Sequence, residues 1–202
     1  MKLYYSPTSP FVRKVSVVLR ETGLIDKVTL VPGSGLPAAP GNAPIALNPL
    51  GKIPTLERED GPALYDSRVI CRYLDHISGG KLYPQPPRLW ETLTLEATAD
   101  GMMEAAVLMI YETRARAQGT QDPTWVEAQW SKVARALDTL EGRWIAYLEG
   151  PLDMGQIAVG CALGYLDFRQ DARNWRGGHP ALAEWYAGFA ERDSMKATVP
   201  VG

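Results

Sequence analysis

The turn Ser6-Pro7-Thr8-Ser9-Pro10 carries three hydroxyls between a short apolar run, Leu3 to Tyr5, and a helical pattern. Apolar residues at 11, 12, 15, 18 and 19 make the stripe of an amphipathic helix. Proline suits the first helical position because its missing N–H would be unpaired there anyway. Pro10 therefore opens the helix and Ser9 is its N-cap. The Ser9 hydroxyl then sits where a helix presents free N–H groups and the positive end of its dipole. An anion such as a thiolate is stabilised at that point. The turn itself has no cysteine. Cys71 and Cys161 both fall in apolar helical patterns, and no His/Cys cluster has metal-ligand spacing, so no metal is expected. His76 and His179 read as a surface residue and a helix-start residue.

The elements that must position this turn change character part-way along the chain. Lys2 to Tyr5 reads as a strand, Pro10 to Thr22 as a helix stopped by Gly23, and Val28 to Val31 as a second strand. Residues 32–44, rich in Pro, Gly and Ala, form a loop, and Asn42 to Leu47 a short helix or turn. Asn48-Pro49-Leu50-Gly51-Lys52 turns into a third strand, Ile53 to Glu57, with Pro54 at its start. Gly61-Pro62 leads to a fourth strand, Ala63 to Tyr65. Asp66 or Ser67 then caps a helix carrying Val69, Ile70, Tyr73, Leu74 and Ile77. Residues 81–87 form a linker after this first domain, residues 1–80. Residues 88–202 read as all-helical: Arg88 to Ala117, Pro123 to Leu148, Met154 to about Phe168, and Pro180 to about Arg192, with an irregular tail from Ser194. The third of these is apolar nearly all round and is the expected central helix. Asp153 and Gln156 make its capping box.

Bulk properties narrow the function classes. With 202 residues and a formal net charge of −2, nothing suggests a nucleic-acid or membrane partner. The apolar stretches fall short of the ~20 residues that span a bilayer. The N-terminal run lacks a signal-peptide core, and two distant cysteines suggest reduced, packed thiols, so a cytoplasmic location is expected.

The order β-α-β-α-β-β-α, with a proline opening the third strand and an all-helical second half, resembles a glutathione transferase: a thioredoxin-like α/β domain followed by an all-α domain. The resemblance spans the whole chain. It is carried by Thr8-Ser9-Pro10-Phe11-Val12-Arg13-Lys14, by Asn48-Pro49-Leu50-Gly51-Lys52-Ile53-Pro54-Thr55-Leu56, by Tyr65-Asp66-Ser67-Arg68-Val69-Ile70, and by Gly160 to Arg169. The bacterial YibF-like branch is most similar, and Met1-Lys2-Leu3-Tyr4-Tyr5 also resembles the beta class.

The resemblance implies glutathione as co-substrate and assigns it a site. Ser9 and Phe11 lie at the thiol. Ile53-Pro54 is expected to be cis, turning the Ile53 N–H and C=O outward to pair with the cysteinyl backbone like an added strand; position alone equally permits an ordinary trans proline at a strand start. Ser67 would hold the γ-glutamyl carboxylate and Asp66 the ammonium, where the plain reading is an N-cap. Lys52 would pair with the glycyl carboxylate or stay solvated. Asp100 would reach across a homodimer to the ammonium of the partner's glutathione. Met102, Met103 and Tyr111 would line the electrophile pocket, with core packing as the alternative for each. Arg13 reaches the site or the domain interface, or lies with Lys14 on a solvated face.

The chemistry asked of Ser9 is modest. Bringing a thiol from pKa about 8.5 to mostly thiolate at neutral pH needs about 2.7 kcal/mol. One hydrogen bond to a charged group contributes about 1.5–3 kcal/mol, and a helix N-terminus about 0.3–1 kcal/mol. Tyr5 and Ser6 are rivals for this role. Relatives with a cysteine in this turn form mixed disulfides; its absence here favours glutathione itself as the nucleophile toward an apolar electrophile, in a detoxifying transferase. The alternatives are a non-catalytic binding or regulatory protein of the same fold, or a glutathione-dependent reductase, dehalogenase or isomerase.

Overall fold

The computed structural model describes residues 1–35, 39 and 41–202. Part of the 32–44 loop therefore lies outside the described residues. The first half contains β1 (Lys2–Tyr5), α1 (Pro10–Glu21), β2 (Thr29–Pro32), β3 (Thr55–Glu57) and α2 (Ser67–Ser78). β1 is central, parallel to β2 and antiparallel to β3, with Tyr4 opposite Thr55 and Lys2 opposite Glu57. This is a thioredoxin-like half joined to an all-α half. Helices α3 (Arg88–Arg114), α4 (Pro123–Arg143), α5 (Ile145–Leu148), α6 (Met154–Arg169), α7 (Pro180–Ala190) and α8 (Asp193–Lys196) make up the remainder.

Some of the expected elements need correction. The fourth strand is reduced to one isolated bridge, Leu64 with Leu56, because Pro62 offers no N–H and Asp66 already turns away to cap α2. The third strand begins at Thr55, not Ile53, since Pro54 cannot donate to the ladder. The helix expected to reach Leu148 breaks at Trp144, whose φ of −116° departs from helical geometry, and α5 restarts after it. The tail is not irregular from Ser194, since Asp193–Lys196 form a helical turn.

α6 is the centre of the molecule: every residue from Met154 to Leu166 is buried. Asp153 accepts hydrogen bonds from the Gly155 and Gln156 N–H groups, and the Gln156 side chain accepts from the Asp153 N–H, completing the capping box. α1 is buried on nearly every side, packing on α2 and on α6. The solvated reading of Arg13 and Lys14 is thereby overturned. Arg13 donates to the Met195 carbonyl at 3.2 Å and the Thr198 hydroxyl at 3.4 Å. Arg192 and Ser194 both donate to Glu21 at the far end of the helix. The segment 192–198 thus runs back along α1 and is fastened to it twice. Cys71 and Cys161 are free and fully buried, as packed thiols.

Candidate functional site

Three element ends present unused backbone donors. At the first, Ser9 caps α1: its Oγ accepts from the Val12 N–H at 3.3 Å and its carbonyl from the Arg13 N–H at 3.0 Å. The Ser9 N–H is taken by the Ser6 carbonyl, which closes the turn, and Ser6 and Thr8 share a hydroxyl–hydroxyl contact at 3.0 Å. Among the described residues the Phe11 N–H has no partner, and the Ser9 hydroxyl retains its proton for donation. Of the rivals, Tyr5 shares the Leu3 side of β1 and packs against the core, and Ser6 is engaged with Thr8.

The second end is the start of β3. The Ile53–Pro54 bond is cis, as the resemblance implies. Among the described residues neither the N–H nor the C=O of Ile53 has a partner in the chain. A brace that the sequence reading missed holds this corner. Asn48, 1 % exposed, donates to the Lys52 carbonyl at 3.0 Å and to Thr55 Oγ1 at 3.2 Å, and the Thr55 hydroxyl donates to the same carbonyl at 2.9 Å. The asparagine heading Asn48-Pro49-Leu50-Gly51 was its only signal. The Lys52 side chain is exposed.

The third end is the start of α2. Asp66, not Ser67, is the cap, accepting from the Arg68 N–H at 3.0 Å. Ser67 is the first helical residue, buried, and its hydroxyl makes no hydrogen bond among the described residues. Arg68 folds back on Asp66 at 2.8 Å. Burial acts to raise the Asp66 carboxyl, but the bonds from Arg68 outweigh it and hold it below its ordinary value. The Tyr65–Asp66 bond is also cis, which nothing in the sequence announced.

The other expected residues lie on α3. Met102 and Met103 are buried in the core rather than lining an open pocket, because α3 turns that face onto α6. Tyr111 is half-buried, and burial raises its phenol. Asp100 is committed within its own chain: both carboxylate oxygens accept from Lys14, at 2.7 and 2.9 Å. Lys14 also donates to Glu96 at 3.1 Å, and Glu96 accepts from the Tyr83 hydroxyl. Burial raises the carboxyls of Glu96 and Asp100 against the pull of Lys14. It opposes the Lys14 charge as well, yet the carboxylates prevail and the ammonium persists.

Residues 8–77 match the glutathione S-transferase N-terminal domain and residues 123–188 the C-terminal domain. The chain is 34 % identical over 204 residues to YibF of Escherichia coli K12, a GST-like protein, covering 99 % of this chain and 98 % of that one. The chain belongs to the glutathione transferase family. Two crystal structures of family members from Pseudomonas fluorescens Pf-5 superpose on it. One, with bound glutathione, is 46 % identical with a TM-score of 0.96 and covers 100 % of this chain and 99 % of that chain. The other, with bound S-(propanoic acid)-glutathione, is 45 % identical with a TM-score of 0.91 and covers both chains fully, at 100 % each. Within this glutathione transferase fold the three unused element ends are the starts of α1, β3 and α2. No helix among the described residues is long and apolar enough to cross a membrane.

Proposed function

We propose that this glutathione transferase family member binds glutathione across the ends of α1, β3 and α2 and activates its thiol at Ser9. The observation that carries this reading is the set of unpartnered donors and acceptors at those ends. The Ile53 N–H and C=O suit the cysteinyl backbone, and the Ser67 N–H and hydroxyl suit the γ-glutamyl carboxylate. Asp66 suits the ammonium and Lys52 the glycyl carboxylate. The Ser9 hydroxyl and the Phe11 N–H then point their hydrogens at one sulfur from a helix N-terminus. The glutathione-bound relatives lend weight to the ligand.

The thiolate attacks an electrophilic carbon. A carbon–sulfur bond forms, and the displaced electron pair leaves with a leaving group or is protonated on the adduct. The S-propanoate ligand of the Pseudomonas relative is a thioether of this kind. With both cysteines buried, an enzyme–glutathione disulfide is disfavoured. The division into residues 1–80 and 88–202 about a linker at 81–87 belongs to the same reading, as do homodimerisation and a cytoplasmic location.

Thermal unfolding with and without glutathione tests the binding. The wild type should gain a clear upward shift in Tm, as any ligand that binds only the folded state produces. Ser67→Ala should lose most of that shift. No shift in the wild type would sink the proposal.

A further inference from the structure

We infer that the electrophile carries a carboxylate and that Arg169 is the residue that selects it; this rests on the reading of Ser9 as the thiol site and names the class of the second substrate. Arg169 is the last residue of α6 and stands beside the turn that leads into Ser9. A Cβ built on Gly202 would lie 2.7 Å from the Thr8 methyl and 3.9 Å from Arg169 Nη2, so both side chains border the same point. The guanidinium is 3.8 Å from the centre of the Phe168 ring, and Phe168 packs in turn on Tyr165. Stacking of this kind holds a guanidinium plane in place and leaves its N–H edge free.

The groups around Arg169 are donors. Arg114 ends α3, which packs on α6. Arg116 and Arg176 are paired with Glu112 and Asp167, whereas Arg114 and Arg169 have no ion pair among the described residues. Tyr165 is 4 % exposed, and its hydroxyl makes no hydrogen bond among the described residues. The unpartnered side-chain atoms there that are sealed from solvent are Arg13 Nη1 and Glu91 Oε2, so the Tyr165 hydroxyl opens onto a space. Burial pushes its phenol up to about 12, against the pull of Arg169 and Arg114 and with Tyr111 adding to the rise. That pull places the four groups in one neighbourhood, and the phenol keeps its proton at neutral pH. Two guanidiniums and two phenols are complementary to an anion. Of the residues expected to line an apolar pocket, Tyr111 alone lies here, and its surroundings are cationic.

The charge bears on the reaction. A carboxylate near the reacting carbon repels an incoming thiolate, and a guanidinium held against it cancels that repulsion. The class comprises 3-halo- and α,β-unsaturated carboxylates. With the first, the carbon–sulfur bond forms as the carbon–halogen bond breaks and the halide leaves with its electron pair. With the second, sulfur bonds to the β-carbon and the displaced π pair takes a proton from water at the α-carbon.

Calorimetric titration of S-(2-carboxyethyl)glutathione against S-(2-carbamoylethyl)glutathione reads the proposal, because the two differ only by a neutral amide of the same shape. A second such pair on four-carbon arms covers a longer reach. The wild type should favour the carboxylate about three- to tenfold in one pair or both, the worth of a charge-assisted hydrogen bond to a half-exposed guanidinium. Arg169→Gln should abolish that preference while leaving affinity for the amide within about twofold. Arg169→Lys should keep part of it, and Tyr165→Phe should cut it about two- to threefold. Arg176→Gln removes the same charge from a guanidinium already paired with Asp167, so it should keep the preference. No carboxylate preference in either wild-type pair would overturn the proposal. So would a preference that survives Arg169→Gln, or one lost equally in Arg169→Gln and Arg176→Gln, which would reduce it to net charge. Failure of glutathione itself and of all four derivatives to bind would instead remove the glutathione reading, and this inference with it.

Discussion

The fully buried Lys14 ammonium and the largely buried Asp100 carboxylate meet 2.7 Å apart, tying the helix capped by Ser9 to the long helix α3. Removing one partner of a buried ion pair costs about 3–5 kcal/mol because the other charge is left unmatched. Lys14→Met should therefore lower Tm by about 10 °C. Adding Glu96→Gln and Asp100→Asn to it should recover much of the loss, since no stranded charge then remains. Thermal unfolding of the single and triple variants checks this.

Ser9 is assigned two separable duties. Ser9→Ala should lose about 1 kcal/mol of stability through the missing cap and raise the pKa of bound glutathione by about one unit or more. Ser9→Asp should restore the cap, because a carboxylate accepts from the Val12 N–H as the hydroxyl does. It cannot donate to sulfur and adds a negative charge, so the thiol should titrate higher still. Ultraviolet titration of the bound thiolate and denaturant unfolding read the two duties independently.

Glu21 should make the protein acid-sensitive. Burial acts to raise its carboxyl, but the hydrogen bonds from Arg192 and Ser194 outweigh this and leave it lowered. The native state then binds a proton at Glu21 less readily than the unfolded state does. Its stabilisation is complete above the ordinary carboxylate range and disappears as pH falls through the lowered native value. Glu21→Gln should cost about 1–2 kcal/mol at neutral pH. Its stability curve should approach that of the wild type at the acid end.

Two helical glycines should respond oppositely to alanine. A Cβ at Gly164 in α6 would lie 2.2 Å from Arg13 Nη1 and 2.6 Å from the Tyr186 hydroxyl. Gly164→Ala should destabilise by about 1–3 kcal/mol. At Gly101, exposed in the middle of α3, the same methyl meets nothing within 4 Å. Gly101→Ala should stabilise by about 0.5–1 kcal/mol. Denaturant midpoints decide both.

The cysteines should be silent in the native state. Burial lifts the Cys161 thiol to about 11 and that of Cys71 well above its ordinary value. A thiol reagent should react with neither at neutral pH until denaturant is added, and should then count both without prior reduction. Rapid labelling of the folded protein would contradict the packing.

What could be read in the sequence was governed by local chemistry. The Ser9-Pro10 helix start and the Asp153–Gln156 capping box depend on residues within one turn of each other, and both stand as expected. The apolar run around Cys161 announced the central helix because it leaves no polar face for solvent. The misreadings concern contacts far apart in sequence. Arg13 and Lys14 look like surface residues until Met195, Thr198, Glu96 and Asp100 arrive to satisfy them. Asn48 looks like an ordinary turn residue, and only the folded corner shows it bracing Lys52. Ala63 to Tyr65 has strand-like composition, yet the chain has too little length there to form a ladder before capping α2.

The run of residues 192–198 back along α1 brings Gly202 against the Thr8 methyl group, where an added Cβ would come within 2.7 Å. Met1 lies at the opposite end of β1, its ammonium near the Lys27 carbonyl. A purification tag or fusion joined after Gly202 would therefore start beside the Ser9 turn, while one joined before Met1 would start away from it. Kinetic comparison of the two fusions should show slower turnover with the former, and work on this protein is best carried out with the latter.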